Sequence, residues 1–257
     1  MSYKDFFENN KSPTKREINT DDLNFIGNDP GATKFGNFIN YYSFHSVGQR
    51  ISNLNPEMFP VFEPNQTIVC LDIGCNTGEL TIALHSYLKK VFPNCNVKIL
   101  AIDIDSKLIK KAQKSCSNCD IIYQTEDIMD ADSGKSITNY LHSHGRNNFD
   151  IVFCFSVTLW IHINNGDEGL FKLINLLKSI SRSIVVEPQP WKCYRNAQRR
   201  MKRSGSGFPF YDTLKIRSNV DSVIEQKISE NTHKKVFESP NSKWNRKVQS
   251  FHRISDT

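Results

Sequence analysis

The chain has 257 residues, a formal net charge of +6 and a hydrophobic fraction of 38%. That length suits a single α/β domain with a sizeable core, and no apolar run nears the ~20 residues of a membrane-spanning helix. The moderate positive charge fits an anionic partner without identifying one.

Met1 to Lys34 is rich in Asn, Lys, Asp and Thr without sustained periodicity, which predicts a mostly disordered tail ahead of a single domain over residues 35–257. The first residues lack a signal-peptide layout. Phe35 to His45 is packed with aromatics, among them Tyr41 and Tyr42, and leads to Arg50. It is either a helix laid over the sheet edge or a cover for a ligand pocket, with Arg50 reaching a carboxylate bidentately.

Ile68 to Leu71 is a short apolar, β-prone run that predicts a buried parallel strand. Asp72 follows, Gly74 and Gly78 bracket a tight turn, and a helix extends to about Phe92, with Leu80, Ala83, Leu84, Tyr87, Leu88 and Val91 on one face. Such a turn brings backbone N–H groups close to a ligand. Its spacing is D-x-G-x-N-x-G, with Asn76 where a dinucleotide fingerprint has its middle glycine. A side chain there crowds a diphosphate but can hydrogen-bond a smaller polar ligand. The pattern resembles motif I of class I S-adenosylmethionine (SAM) methyltransferases.

Val97 to Ile102 predicts a second strand, ending at Asp103, a carboxylate placed to accept from both ribose hydroxyls. Asp105 suits a helix cap for Ser106 to Ser115. Cys116 and Cys119 form a lone C-x-x-C without a second pair, so no metal site is expected. The seven cysteines are scattered rather than framework-like, which predicts a reducing compartment and a cytoplasmic protein.

Ile121 to Tyr123 predicts a third strand. Beyond it, Asp127 and Ile128 could meet an adenine, or the carboxylates could be loop residues in solvent. A helix over about Ser136 to His144 leads to a fourth strand, Phe149 to Ser156. Asp167 to Lys178 is an amphipathic helix, and Ser183 to Glu187 a fifth strand. Alternating strands and helices predict a parallel sheet with helices on both faces. Val157 to His162 and Glu187 to Trp191 would then be loops at strand carboxyl ends, where open sheets bind ligands. Trp191 to Arg203 is strongly basic, Ser218 to Ile228 regains periodicity, and Lys234 to Arg253 can supply two short strands.

Four groups of residues occur in order: Gly36-Asn37-Phe38 with Tyr41-Tyr42, Leu71 to Gly78, Trp160-Ile161-His162 with Asn165-Gly166-Asp167, and Glu187-Pro188-Gln189-Pro190-Trp191. Together they resemble the bicoid-interacting-protein-3 family of RNA methyltransferases, over about Phe35 to Tyr194. Val157 to Trp160 departs from the Thr-Lys-Trp of the γ-phosphate capping enzymes, and Trp-Lys-Cys-Tyr-Arg follows the last signature. The resemblance is therefore closer to the RNA 5′-monophosphate branch, which acts on histidine tRNA and microRNA precursors.

That resemblance implies a Rossmann-like class I fold with a mostly parallel seven-stranded sheet. It also implies SAM as cofactor and a small RNA with a 5′-monophosphate as partner, with no DNA, no membrane and a monomeric state. Carried over, the cofactor contacts are Arg50, Asn76, Asp103, Asp127, Ile128 and Phe155, beside Asp72 and Gly74 of the turn. Candidates for gripping the phosphate are His162, Lys192, Arg195, Tyr41 and Tyr42, while Arg199, Arg200, Lys202 and Arg203 would track RNA backbone. Competing readings are a γ-phosphate methyltransferase, an RNA-binding module without catalysis, and a nicotinamide-dependent oxidoreductase, which Asn76 disfavours.

Overall fold

Runs of β-branched and other apolar residues bury well on a pleated sheet, and the strands form where those runs occur. In the computed structural model, which describes residues 20–130 and 133–254, β1 is Thr67–Ile73, β2 Asn96–Asp103, β3 Ile121–Thr125, β4 Ile151–Phe155, β5 Ser183–Glu187, β6 His233–Glu238 and β7 Gln249–Arg253. They make one seven-stranded sheet in the order β3-β2-β1-β4-β5-β7-β6. The first five strands pair in parallel, and β7 runs antiparallel to both β5 and β6. This is the mostly parallel α/β sheet that the alternation of elements predicts.

The helices are α1 Tyr41–Phe44, α2 Val47–Ile51, α3 Glu79–Val91, α4 Ser106–Ser115, α5 Ser133–Ser143, α6 Thr158–Ile180, α7 Trp191–Arg203 and α8 Val220–Ser229. Successive strand residues point to opposite faces, so β1 feeds two cores. Val69, Leu71 and Ile73 face the helices α5 to α8, where Leu170, Leu173, Leu177, Tyr194 and Ile224 are buried. Ile68 and Cys70 face α3 and α4 with Leu80, Leu84, Leu88 and Ile109. Burying each such aliphatic side chain is worth roughly 1.5–3 kcal/mol relative to exposure.

The structure departs from the sequence reading in three places. Residues 20–34, expected within a disordered tail, pack against the domain. Ala32 is fully buried, the Lys34 carbonyl accepts from Asn164 Nδ2, and the Leu23 carbonyl accepts from Asn37 Nδ2. Residues 1–19 of that tail lie outside the described residues. The helix expected over Asp167 to Lys178 instead begins at Thr158 and is bent at Gly166, whose φ is 74°. Trp160 and His162 therefore sit in a helix rather than a loop. The cause is a long-range cap: Gln189 Oε1 accepts from the Leu159 N–H at 3.2 Å, closing the first turn with a side chain from beyond the end of β5. Finally, within the aromatic segment Phe35 to His45 only Tyr41–Phe44 is helical.

Candidate active site

The chain runs from β1 outward to β2 and β3, then returns to place β4 on the other side of β1. At this switch point the loops leaving β1 and β4 diverge and open a crevice at the strands' carboxyl ends. A cleft of about 930 Å³, measured with its open mouth, occupies it. Its floor comes from Asp72 near the end of β1 and Gly74 just past it, Asp103 at the end of β2, Phe155 at the end of β4 and Ser156 just past it; Asp127 and Ile128 close one side. Phe35, Asn37, Tyr41, Tyr42 and Arg50 cover it from the N-terminal segment. Of the two readings of that segment, the structure shows the cover.

The turn after β1 is held from within. Gly74 has φ 74°, and a Cβ there would lie 2.4 Å from Val157 Cγ2, so the turn needs glycine. Asn76 is also left-handed at φ 53°, a conformation that Asn tolerates better than most residues. Its Oδ1 accepts from the Thr77 N–H at 2.8 Å, while Nδ2 donates to the Phe38 carbonyl at 3.0 Å. Asn76 thus ties the cover to the floor.

Asp103 is held by two backbone amides, Asn76 N–H at 2.9 Å and Asp105 N–H at 2.9 Å. Each carboxylate oxygen keeps a second lone pair for a ligand donor. Burial raises its pKa to about 6, with those amides pulling the other way. Burial also raises Asp72 to about 6, although the Thr81 hydroxyl, donating at 2.6 Å, and Arg50 oppose the shift. Asp105 caps α4 by accepting from the Lys107 N–H at 2.8 Å, as its position before the helix predicts.

Arg50 is 2% exposed. Its Nη2 donates to Ser156 Oγ at 2.7 Å, to Glu187 Oε2 at 2.9 Å and to the Tyr41 hydroxyl. Burial works against its charge, but Glu187 and the two tyrosines outweigh that and hold the guanidinium cationic. Its Nε has no partner among the described residues. A buried guanidinium in the cleft wall, with Asp103 also in that wall, fits a ligand carrying a carboxylate at one end and a diol at the other.

All eight expected cofactor residues, Arg50, Asp72, Gly74, Asn76, Asp103, Asp127, Ile128 and Phe155, share this one wall, as do Tyr41 and Tyr42. His162, Lys192 and Arg195 do not. His162 is fully buried, with Nδ1 3.0 Å from the Tyr194 hydroxyl and Nε2 2.8 Å from Asp167 Oδ1. Burial lowers its pKa against the pull of Asp167. Asp167 in turn accepts from the Lys215 and Ile216 N–H groups, so this chain of bonds joins α6, α7 and the loop after Phe210. Lys192 and Arg195 stand exposed on α7.

The Glu187 to Trp191 signature also turns inward. Glu187 binds Arg50, Gln189 caps α6 and donates to the Ser156 carbonyl at 2.6 Å, and Trp191 stacks on Tyr194 and Tyr211. Two residues of the site carry no signal in the sequence. Ser156 adopts φ 60° at the end of β4, and Arg246, from the loop before β7, donates to Ser156 Oγ at 2.7 Å. Strained backbone at a strand end is a feature of functional sites, but nothing local marks Ser156 or Arg246.

Residues 149–253 match the family model described as Bicoid-interacting protein 3 (Bin3), and residues 71–182 match one described as a methyltransferase domain. The chain is 38% identical over 238 residues to the pre-miRNA 5′-monophosphate methyltransferase of Xenopus laevis, covering 87% of this chain and 93% of that protein. It is also 38% identical over 238 residues to the RNA 5′-monophosphate methyltransferase of Bos taurus, covering 87% and 82%. Among solved structures, the bifunctional kinase-methyltransferase WbdD superposes with a TM-score of 0.51 at 13% identity, over 83% of this chain and 41% of that one, a likeness of fold alone.

Proposed function

The chain belongs to the bicoid-interacting protein 3 family and is a SAM-dependent RNA methyltransferase; on that premise we propose that it methylates the 5′-monophosphate of small RNAs. The observation that carries this reading is the 38% identity, over 87% of the chain, to a protein named for that acceptor. Histidine tRNA and microRNA precursors are the RNAs we propose as substrates, with the protein acting as a cytoplasmic monomer.

The cleft fits the cofactor on two counts: the partnerless Arg50 Nε suits its amino-acid carboxylate, and Asp103 suits its ribose. Ile128 and Phe155 would flank the adenine, with Asp127 at its amino edge. When bound, SAM supplies an electrophilic methyl group on a sulfonium. Asp72 and Asp103 bring negative charge to the same wall, which favours a cationic ligand over a diphosphate.

The acceptor simplifies the chemistry. A phosphate monoester has a second pKa near ~6 and is mostly dianionic at neutral pH, so its oxygen is already nucleophilic. No strong base is required, and His162, whose two nitrogens are both engaged inside the fold, holds α6 on α7. What the residues must supply is position. Tyr41 and Tyr42, on the wall beside Arg50, are placed to orient the 5′ end. Lys192 and Arg195, exposed on α7, would meet the first nucleotides, and Arg199, Arg200, Lys202 and Arg203 the backbone beyond.

Incubation with labelled SAM and total small RNA, followed by mapping of labelled 5′ ends, tests this reading. Label on the 5′-phosphates of histidine tRNA or microRNA precursors supports it; label confined to internal nucleotides overturns it.

A further inference from the structure

Beside the cleft, the loop between β6 and β7 brings a second guanidinium against the first. Arg246 is 8% exposed, and its Nη1 lies 2.7 Å from Ser156 Oγ and 3.7 Å from Glu187 Oε2. Its Nη2 reaches only the weak acceptor Cys193 Sγ, at 3.6 Å. Ser156 and Glu187 also receive Arg50, and Ser156 Oγ donates to Glu187 Oε2. Two buried arginines therefore share one buried carboxylate. Glu187 is the one carboxylate in direct contact with both guanidiniums, and Asp72 adds negative charge on the Arg50 side alone, so Arg246 is the less fully matched of the two.

Two unpartnered buried atoms beside the cleft mark where an acceptor anion would go, and a third belongs to the cofactor end. Among the described residues Arg246 Nε and His45 Nδ1 have no hydrogen-bond partner, and neither has Arg50 Nε. Arg50 faces the cofactor cleft, whereas Arg246 and His45 do not line it. The His45 ring lies 4.9 Å from the Tyr41 ring and 4.6 Å from the Trp244 ring. Burial first, then Arg246, Arg50 and Lys243, lower His45 to about 4 and keep the ring neutral. Tyr41 and Ser156, both in the cleft wall, connect this second position to the first.

We infer that Arg246 and His45 form the seat of the acceptor phosphate, with Ser156 and Glu187 holding Arg246 in place and Arg50 left for the cofactor carboxylate. The inference rests on the acceptor being a 5′-phosphate and names which residues select it. A dianion at Arg246 meets a guanidinium that Glu187, 3.7 Å away, matches only in part, and need not displace Glu187. The nucleophilic oxygen is engaged by few donors, so its reactivity is retained. Selection of the phosphate thus resides in the C-terminal loop, far in sequence from the glycine turn.

The test compares binding of 5′-phosphorylated and 5′-hydroxyl forms of one RNA, with S-adenosylhomocysteine present, to the full chain and its R246Q and H45F variants. The wild type is expected to prefer the phosphate by about tenfold or more, the scale of a charge-assisted hydrogen bond. R246Q should lower that preference to about one and leave 5′-hydroxyl RNA within about twofold of wild type. H45F, which keeps the ring packing, should reduce the preference about threefold. A wild type without preference removes the acceptor reading and the seat with it. A wild type with preference that R246Q retains, while still binding S-adenosylhomocysteine, removes the seat alone. If R246Q does not fold, H45F decides, and an unchanged preference overturns the seat.

Discussion

The two sides of the cleft are built by different rules. On the donor side Asp72 lies near the end of β1, Asp103 ends β2 and Asp127 follows β3 by two residues, and the parallel register delivers them to one edge. Asp103 is already gripped by the Asn76 and Asp105 amides. On the proposed acceptor side Tyr41 and Ser156 line the cleft with Glu187 and Arg246 behind them; the β4–β5 register sets Ser156 beside Glu187, but Tyr41 and Arg246 arrive from distant segments and join through Arg50 and Ser156. The donor side inherits its geometry from the sheet, whereas on the proposed acceptor side only Ser156 and Glu187 do, and Tyr41 and Arg246 depend on the tertiary fold being complete.

The largest test of that contrast is on the donor side. Asp103→Ala removes a charged acceptor for two ribose hydroxyls, each such bond being worth about 1.5–3 kcal/mol. Calorimetry should show S-adenosylhomocysteine affinity down about a hundredfold or more, with 5′-hydroxyl RNA binding retained. A loss below threefold would detach Asp103 from the cofactor. Next in size is His162→Ala. Because His162 joins α6 to Tyr194 and Asp167, urea denaturation should show about 2 kcal/mol lost, and cofactor affinity should stay within threefold. Full stability with abolished turnover would return His162 to the chemistry.

Smaller effects sharpen the boundary. Replacing Arg199 and Arg200 together by Ala should weaken RNA binding several-fold, independently of its 5′ group. The log–log salt slope should fall by about 1.4, at about 0.7 per phosphate contact on a single strand. An unchanged slope would place α7 away from the RNA. The smallest is a pH effect. Asp103, raised to about 6 by burial, must be ionised to accept ribose hydroxyls, so cofactor affinity rises with pH through that value and levels off above it. Between pH 7.5 and 5.5 it should fall about fourfold, and Asp103→Asn should remove that slope. A flat wild-type profile would mean that Asp103 is ionised throughout.

Legibility in the sequence follows the same division. The strands, the glycine turn, Asp103 and the Asp105 cap are readable because alternation, period and strand ends fix them locally. The packing of residues 20–34 was not, since Ala32 and Lys34 are held by contacts with distant elements such as Asn164 in α6. Trp160 and His162 look like loop residues because the cap that extends α6 over them is Gln189, 30 residues from Leu159. The Glu187-Pro188-Gln189-Pro190-Trp191 signature identifies the family, yet Glu187 and Gln189 act as buried brackets, a role that only the fold displays. Arg246 has no local pattern at all.

The most direct measurement is labelled methyl transfer from SAM to one RNA prepared with a 5′-monophosphate, a 5′-triphosphate or a 5′-hydroxyl. The account predicts label on the monophosphate form, little on the triphosphate and none on the hydroxyl. Equal labelling of the monophosphate and hydroxyl forms would contradict it.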